Sequence, residues 1–328
     1  MSIPARKLRL ALIGCGVIGR AHAERLAEDP RAELAVCCDP RAESAESLRQ
    51  ALAPLAKVET DAQRAIDAPD LDGVVICSPT LDHHWQSAQA LDRGLHVLCE
   101  KPLASRREEI VDLIERAKRS RRVMSVSHQR RYLAPYATAR RELTENADWY
   151  GPIREIHLSV CERWQQTITG TWRDDPGVGA GYFGDAGIHQ VDIINYLLGR
   201  TPRRVFASSD RRGSRVEITT RVIAELGDDI VMNAHFTGLA NHWREDIQIH
   251  CARGDLLLRS EELYRAKDNV CQRIIDLLPS GSPDESFVNS ILDGRPVVSP
   301  PEIALPIFDW TQGVLASIRQ GGWVELGS

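Results

Sequence analysis

In the run GDAGIHQVDIINYLLG (184–199) an aspartate and a histidine stand four residues apart, Asp185 and His189. The same run carries an apolar stripe of Ile188, Val191, Ile194 and Leu198, a spacing that predicts a helix. Residues four apart share a helix face, so both side chains point the same way off the first turn. Histidine is the side chain best matched to accepting a proton near neutral pH, and a carboxylate beside it raises its basicity. Two readings follow from the residues alone. Asp185 caps the helix N-terminus, or the two form an acid–base pair; a capping residue can also face a cleft, so one does not exclude the other. An Asp/His pair at this spacing could also ligate a metal, but no third ligand accompanies it, and none is expected. Asp192, three residues beyond His189, is expected to support the structure rather than to do chemistry.

A second group of residues points to a nucleotide. LALIGCGVIGRAHAERL places Gly14, Gly16 and Gly19 in the G-x-G-x-x-G spacing, with Cys15, Val17 and Ile18 filling the loop. An apolar strand precedes it, a helix follows, and Asp39 closes the next apolar run, which lifts a weak pattern to a specific one. Gly14 permits the tight turn, Gly16 the approach of a pyrophosphate, and Gly19 close helix–strand packing. The helix N-terminus then offers open N–H groups to the phosphates. A carboxylate at Asp39 accepts bonds from ribose hydroxyls and repels a 2′-phosphate, so NAD is the expected cofactor. Arg41 two residues on could hold that phosphate, which keeps NADP open. Ser78-Pro79 and Glu100-Lys101 end two further apolar runs, where parallel sheets place their ligands. The ammonium of Lys101 could steady a developing alkoxide. His22, on the helix after the glycine loop, reads as a packing or surface residue.

Alternating elements must hold these groups. Apolar runs at Leu8–Ile13, Leu34–Cys38, Val58–Thr60, Val74–Cys77, Val97–Cys99 and Val123–Ser127 are separated by helical stretches at Val17–Glu28, Ala42–Ala51, Asp82–Arg93 and Arg106–Arg119. That grammar predicts a doubly wound parallel sheet. After Trp149 it changes to successive strands at GPIREIHLSVCE, Arg204–Ser208, Val216–Leu226, Asp229–Thr237, Glu245–His250 and Asp255–Arg259, which predict a mostly antiparallel open sheet. Helical stretches at Pro283–Leu292 and Pro301–Ile318 close the chain. The expected fold is α/β: a nucleotide-binding domain over 1–125, then an α+β substrate and self-association domain over 126–328 whose last helix returns to the first. At 328 residues two domains are the natural division. A net charge of −5 argues against phosphate-neutralising contact with nucleic acid. No apolar run approaches the ~20 residues of a membrane span, and eight cysteines without metal-ligand spacing fit a reduced, cytoplasmic setting.

Three stretches together, the glycine fingerprint, GVVICSPTLDHHWQSAQALDRGLHVLCEKPLA (73–104) and GVGAGYFGDAGIHQVDIINYLLG (177–199), resemble the glucose–fructose oxidoreductase/inositol dehydrogenase family, Gfo/Idh/MocA. The family wording near GGGxLxDxGxHxxD is met by Gly179, Gly181, Asp185, Gly187, His189 and Asp192, with Ala180 in place of one glycine. The resemblance implies a Rossmann domain followed by an open-sheet domain, a cis peptide before Pro102, and hydride transfer between a nicotinamide cofactor and a sugar or polyol hydroxyl. It carries Lys101, Asp185 and His189 over as catalytic residues, and His83 as a residue lining the nicotinamide region. On this reading His189 is the general base, Lys101 its electrostatic partner and Asp185 the orienting group. It places Tyr132, Arg163, Trp164, Trp172 and Arg173 on cleft-lining loops, where aromatic faces suit a sugar ring. Arg130, Arg163 and Arg173 could hold a carboxylate or phosphate. Two rival activities come with the family: a redox-neutral glycosidase using tightly held NAD, and a nucleotide-binding regulator without catalysis. A homodimer or homotetramer is implied by the open second sheet.

Overall fold

The computed structural model describes residues 6–177, 180–227 and 229–327; Gly179 lies outside them. The chain divides into two compact units. One comprises residues up to 129 and 281–305, the other 130–280 and 306 onward.

The first unit runs β1 (Leu8–Ile13), α1 (Val17–Glu28), β2 (Ala32–Cys38), α2 (Ala42–Leu52), β3 (Lys57–Glu59), α3 (Ala62–Ile66), β4 (Gly73–Ile76), α4 (Thr80–Asp92), β5 (His96–Glu100), α5 (Arg107–Ser120) and β6 (Met124–Ser127). The second contributes α6 (Ala134–Glu145), α7 (Ala147–Tyr150), β7 (Ile153–Cys161), α8 (Trp164–Ile168), α9 (Ile188–Leu198), β8 (Arg204–Asp210), β9 (Thr219–Glu225), β10 (Val231–Thr237), β11 (Arg244–Cys251), β12 (Asp255–Arg259), β13 (Glu262–Lys267) and β14 (Val270–Arg273). The chain closes with α10 (Pro283–Leu292), α11 (Ala304–Gln320) and β15 (Val324–Glu325).

In the first unit six parallel strands follow the order β3-β2-β1-β4-β5-β6. The reversal beside β1 puts a crevice at the carboxyl ends of β1 and β4, the usual ligand position in such sheets. Strands buried on both faces need continuous apolar runs, and Leu10, Leu12, Val75 and Leu98 are all at zero exposure. They share a core with Leu26 of α1, Leu48 of α2, and Phe287 and Val288 of α10. Burying two such side chains contributes about 1.5–3 kcal/mol each, which explains why residues 281–305 belong with this unit. The returning segment is therefore the one carrying α10, whereas the sequence pointed to the last helix.

The second unit has a nine-stranded sheet, β14-β13-β12-β11-β7-β10-β9-β8-β15. Its pairings are antiparallel except for β7 with β10. A parallel pair requires a long crossover, here the stretch from α8 through β9. Ile156, Leu158 and Val160 of β7 are buried while His157 and Ser159 point to the other face. The buried face is covered by helical segments; Phe183 meets Phe236 of β10 edge-on at 5.0 Å, and α6 packs on α9. The opposite face, lined by His157, Arg221, Ile223, Asn233, His235 and Gln248, is an open depression of about 570 Å³. The α/β architecture thus agrees with the sequence pattern, while the short α3, α7 and α8 and the edge strands β13 to β15 lacked a readable period.

Candidate functional site

At the carboxyl ends of β1, β2 and β4 lies a cleft of about 320 Å³, lined among others by Gly14, Gly16, Asp39, Arg41, Ser78 and Pro79. Gly14 has φ +95°, and a Cβ there would stand 2.5 Å from the Cys77 carbonyl oxygen. A Cβ on Gly19 would lie 1.8 Å from the Gly14 carbonyl oxygen. Gly16 differs: no heavy atom lies within 4 Å of its Cβ position. Gly16 is also the N-cap of α1, without a capping side chain, so the first-turn N–H groups are open to an anion. Asp39 is buried and pins this loop, its carboxylate accepting from Cys15 N (3.0 Å) and Arg41 N (3.0 Å). The Arg41 guanidinium is largely exposed, 3.7 Å from the same carboxylate. Val17 and Ile18 present exposed apolar surface at the helix start. A dinucleotide fits this donor set: open helix N–H groups, space at Gly16 for phosphate, and a carboxylate for ribose.

Beside the cleft, Ser78 Oγ donates to Gln86 Oε1 at 2.7 Å. His83 is buried, with Nε2 2.8 Å from the Ser78 carbonyl oxygen and Nδ1 2.8 Å from that of Pro102. Burial lowers its pKa against the two carbonyl bonds that favour a proton, and it ties the end of β4 to the turn after β5. The Lys101–Pro102 peptide is cis, as the resemblance implies. His84 pairs with Asp112 at 2.8 Å. Glu100 points inward: its Oε1 accepts from His22 Nε2 (3.0 Å) and its Oε2 from Lys101 N (3.1 Å). Burial opposes a charge on His22, but Cys77 beside it and the bonds to Asp284 and Glu100 override this and hold its pKa well above the ordinary value. His22, read from the sequence as a packing or surface residue, is buried and beyond packing links Asp284 to Glu100. Burial pushes the thiols of Cys37 and Cys38 up to about 11 and about 12, so these are core residues rather than nucleophiles.

In the second unit a turn of π-helix, Phe183–Gly187, runs directly into α9. Asp185 lies within that turn and His189 on the first turn of α9. The helical path therefore starts before Asp185, so Asp185 is not the N-cap residue; the capping expectation is overturned. Glu217 does that work from the sheet side, its Oε2 accepting from Phe183 N at 3.1 Å. Gly181, at φ +73°, leaves room for it, since a Cβ would come within 2.6 Å of that oxygen. π-turns widen a helix and recur at functional sites. Asp185 is partly exposed and accepts from Arg173 Nε at 3.2 Å, and His189 is half-buried. Glu162, at the end of β7, is near enough to Asp185 to feel its charge; burial first and that charge second raise its pKa.

The other expected substrate residues separate. Arg173 stacks over Trp172, 4.5 Å from the ring centroid, and Trp172 is exposed. Arg163 is exposed at the start of α8. Trp164 is buried against Tyr182 at 5.4 Å, so its face serves packing, and Tyr132 is also buried. Arg130 is committed elsewhere, to fully buried Glu245. Tyr136 donates to the same carboxylate, and Gln190 Nε2 does so at 2.6 Å. Asp192 is buried against Arg131, 2.6 Å away, and is structural as expected. The sequence reading missed Glu245; an acidic residue in phase with inward Ile247 and Ile249 was the available signal. Among the described residues no three His, Cys, Asp or Glu side chains form a metal-binding group, and no helix is long and apolar enough to cross a membrane.

A parallel sheet in this strand order, with a glycine loop opening on a helix N-terminus and an acidic residue ending β2, defines a dinucleotide-binding domain. The family description "Oxidoreductase family, NAD-binding Rossmann fold" matches residues 8–128, and "GFO/IDH/MocA C-terminal domain" matches residues 136–257. The chain belongs to the Gfo/Idh/MocA family, and its first unit is the family's NAD-binding domain. It is 30% identical over 197 residues to the rhizopine catabolism protein MocA of Rhizobium meliloti, covering 60% of this chain and 59% of that one. It is 29% identical over 196 residues to the D-glucoside 3-dehydrogenase of Escherichia coli K12, covering 58% and 54%. The chain spans little more than half the length of these curated relatives. The fold matches the structure of GenD2 from gentamicin A biosynthesis in complex with NAD, with a TM-score of 0.84 at 21% identity over 100% of this chain and 98% of that one.

Proposed function

We propose that this chain is an NAD-dependent dehydrogenase or reductase acting on a hydroxyl or carbonyl of a sugar, polyol or sugar derivative. The observation that carries the reading is the cleft in which open α1 N–H groups, the space at Gly16 and the Asp39 carboxylate meet. When bound, the nicotinamide supplies the hydride acceptor or donor. The chain's own residues then manage proton and charge. His189 takes the hydroxyl proton as the carbon is oxidised and returns it in reduction. The Lys101 ammonium donates a hydrogen bond to the reacting oxygen and offsets its negative charge. Asp185, held by Arg173, orients a neighbouring substrate hydroxyl. Arg173 and Trp172 supply a polar and an apolar surface for the sugar. The names of the relatives, a glucoside dehydrogenase and a rhizopine catabolism protein, favour this substrate class. NAD is favoured over NADP by Asp39, and the half-exposed sheet face around Ile223 suits self-association.

The test is reduced-nicotinamide absorbance with NAD, and separately NADP, across sugars, inositols and uronic acids, for the wild type and for His189→Ala and Lys101→Met. Turnover with one substrate class that both substitutions abolish supports the assignment. Turnover untouched by either substitution refutes the residue roles. Bound nucleotide with glycoside cleavage and no net reduction shifts the reading to a redox-neutral glycosidase.

A further inference from the structure

We propose that His22 is a positioning residue for Lys101, joining the glycine-loop helix to the lysine through Glu100. Four buried or half-buried groups form one line. Arg25 Nε donates to Asp284 Oδ2 at 2.5 Å, and His22 Nδ1 donates to Asp284 Oδ1 at 2.7 Å. His22 Nε2 donates to Glu100 Oε1 at 3.0 Å, and Lys101 N donates to Glu100 Oε2 at 3.1 Å. His22 and Asp284 are each 1% exposed.

A neutral imidazole has one N–H, yet both ring nitrogens of His22 face carboxylate oxygens. An imidazolium between two carboxylates satisfies both contacts, with charges alternating from Arg25 to Glu100. Anchoring α10 would need only the Arg25–Asp284 bond. The histidine adds a link from that anchor to Glu100, and Glu100 spends its second oxygen on the backbone N–H of Lys101. His22 also stands three residues beyond Gly19 on α1, so the helix that presents its N-terminus to the nucleotide carries the group that fixes the lysine. His83 holds the far side of the same turn through the Pro102 carbonyl. The other groups against this line are Cys77 beside His22 and Ser127, which bonds Glu100.

The consequence for function rests on the role proposed for Lys101, and a test independent of turnover is available because the chain has five lysines: Lys7, Lys57, Lys101, Lys118 and Lys267. Reductive methylation of the full chain with carbon-13 formaldehyde gives one dimethyl-lysine NMR signal for each, and Lys101→Arg assigns the one of interest. In His22→Gln and Asp284→Asn the Lys101 signal is expected to shift its titration midpoint by at least about 0.3 pH units, the other four staying in place. NADH affinity should stay within about twofold while kcat falls at least about tenfold, with His22→Gln, which keeps one donor, losing less than His22→Ala. An unmoved Lys101 signal in folded Asp284→Asn, the milder variant, overturns the proposal, as does a loss of NADH binding in parallel with kcat. If Lys101→Met leaves turnover intact, the role assigned to Lys101 fails, while the NMR titration still decides the link from His22.

Discussion

Gly16 and Gly19 sit three residues apart in one loop, yet substitution should separate folding from nucleotide binding. Gly16 has φ −74° and ψ −163°, ordinary for any residue, and an added Cβ meets nothing within 4 Å. Serine is also a better N-cap than most, so Gly16→Ser should leave stability unchanged or slightly raised. Its side chain, however, would project into the cleft where the phosphates approach. NADH affinity should fall at least tenfold, about 1.4 kcal/mol. Gly19→Ala is the reverse case. Its methyl would lie 1.8 Å from the Gly14 carbonyl oxygen, a backbone atom that cannot rotate aside. Either α1 or the loop must retreat, disturbing Ala23 and Leu26 in the core. Overpacking of this kind costs about 1–3 kcal/mol. At about 2–4 °C per kcal/mol, the melting temperature should drop by roughly 2–12 °C, toward the upper end because backbone is struck. Thermal unfolding and NADH fluorescence titration read both quantities. Wild-type affinity in Gly16→Ser would refute the phosphate site, and wild-type stability in Gly19→Ala would refute the packing argument.

Other outcomes follow from the same geometry. Asp39→Asn should weaken NAD binding and raise relative NADP affinity, read from the two dissociation constants, because it removes the charge that repels a 2′-phosphate. Glu245→Ala should destabilise the second unit by about 3–5 kcal/mol, since it strands the Arg130 charge under cover; denaturant titration checks this, and Arg130→Met in the same chain should recover part of the loss. Stability should fall on both sides of neutrality. His83 has a lowered pKa in the fold, so the unfolded chain takes up its proton first and stability declines as pH drops below about 6.5. His22 has a raised pKa, so its contribution is complete below about 6.5 and is lost as pH climbs through the folded value. Melting curves across pH should flatten on the acid side in His83→Gln and on the alkaline side in His22→Gln. Ile223→Arg, on the open sheet face, should reduce the assembly size in light scattering while leaving NADH binding intact.

Local chemistry made much of this protein legible in its sequence. The bounds of β1, α1 and α10 follow from continuous apolar runs, a glycine start and a Ser-Pro helix entry, features that act within a few residues. The nucleotide loop is legible for the same reason, since tight turn, phosphate approach and helix packing are each met by one glycine at fixed spacing. Asp185 and His189 could be seen as one group because four residues make about a turn of helix. Their setting could not, because the π-turn depends on Glu217, which lies far along the chain and caps the segment from the sheet. The burial of Trp164 likewise awaited Tyr182, and Arg130 could not be assigned until β11 brought Glu245 beneath it. His22 is the sharpest case: its partners lie 78 and 262 residues away, and no local pattern marks a histidine that will stand between two carboxylates. Spacing along the chain determines which side chains share a face; only packing decides which distant charges must be buried together, and therefore which polar residues are taken out of reach of a ligand.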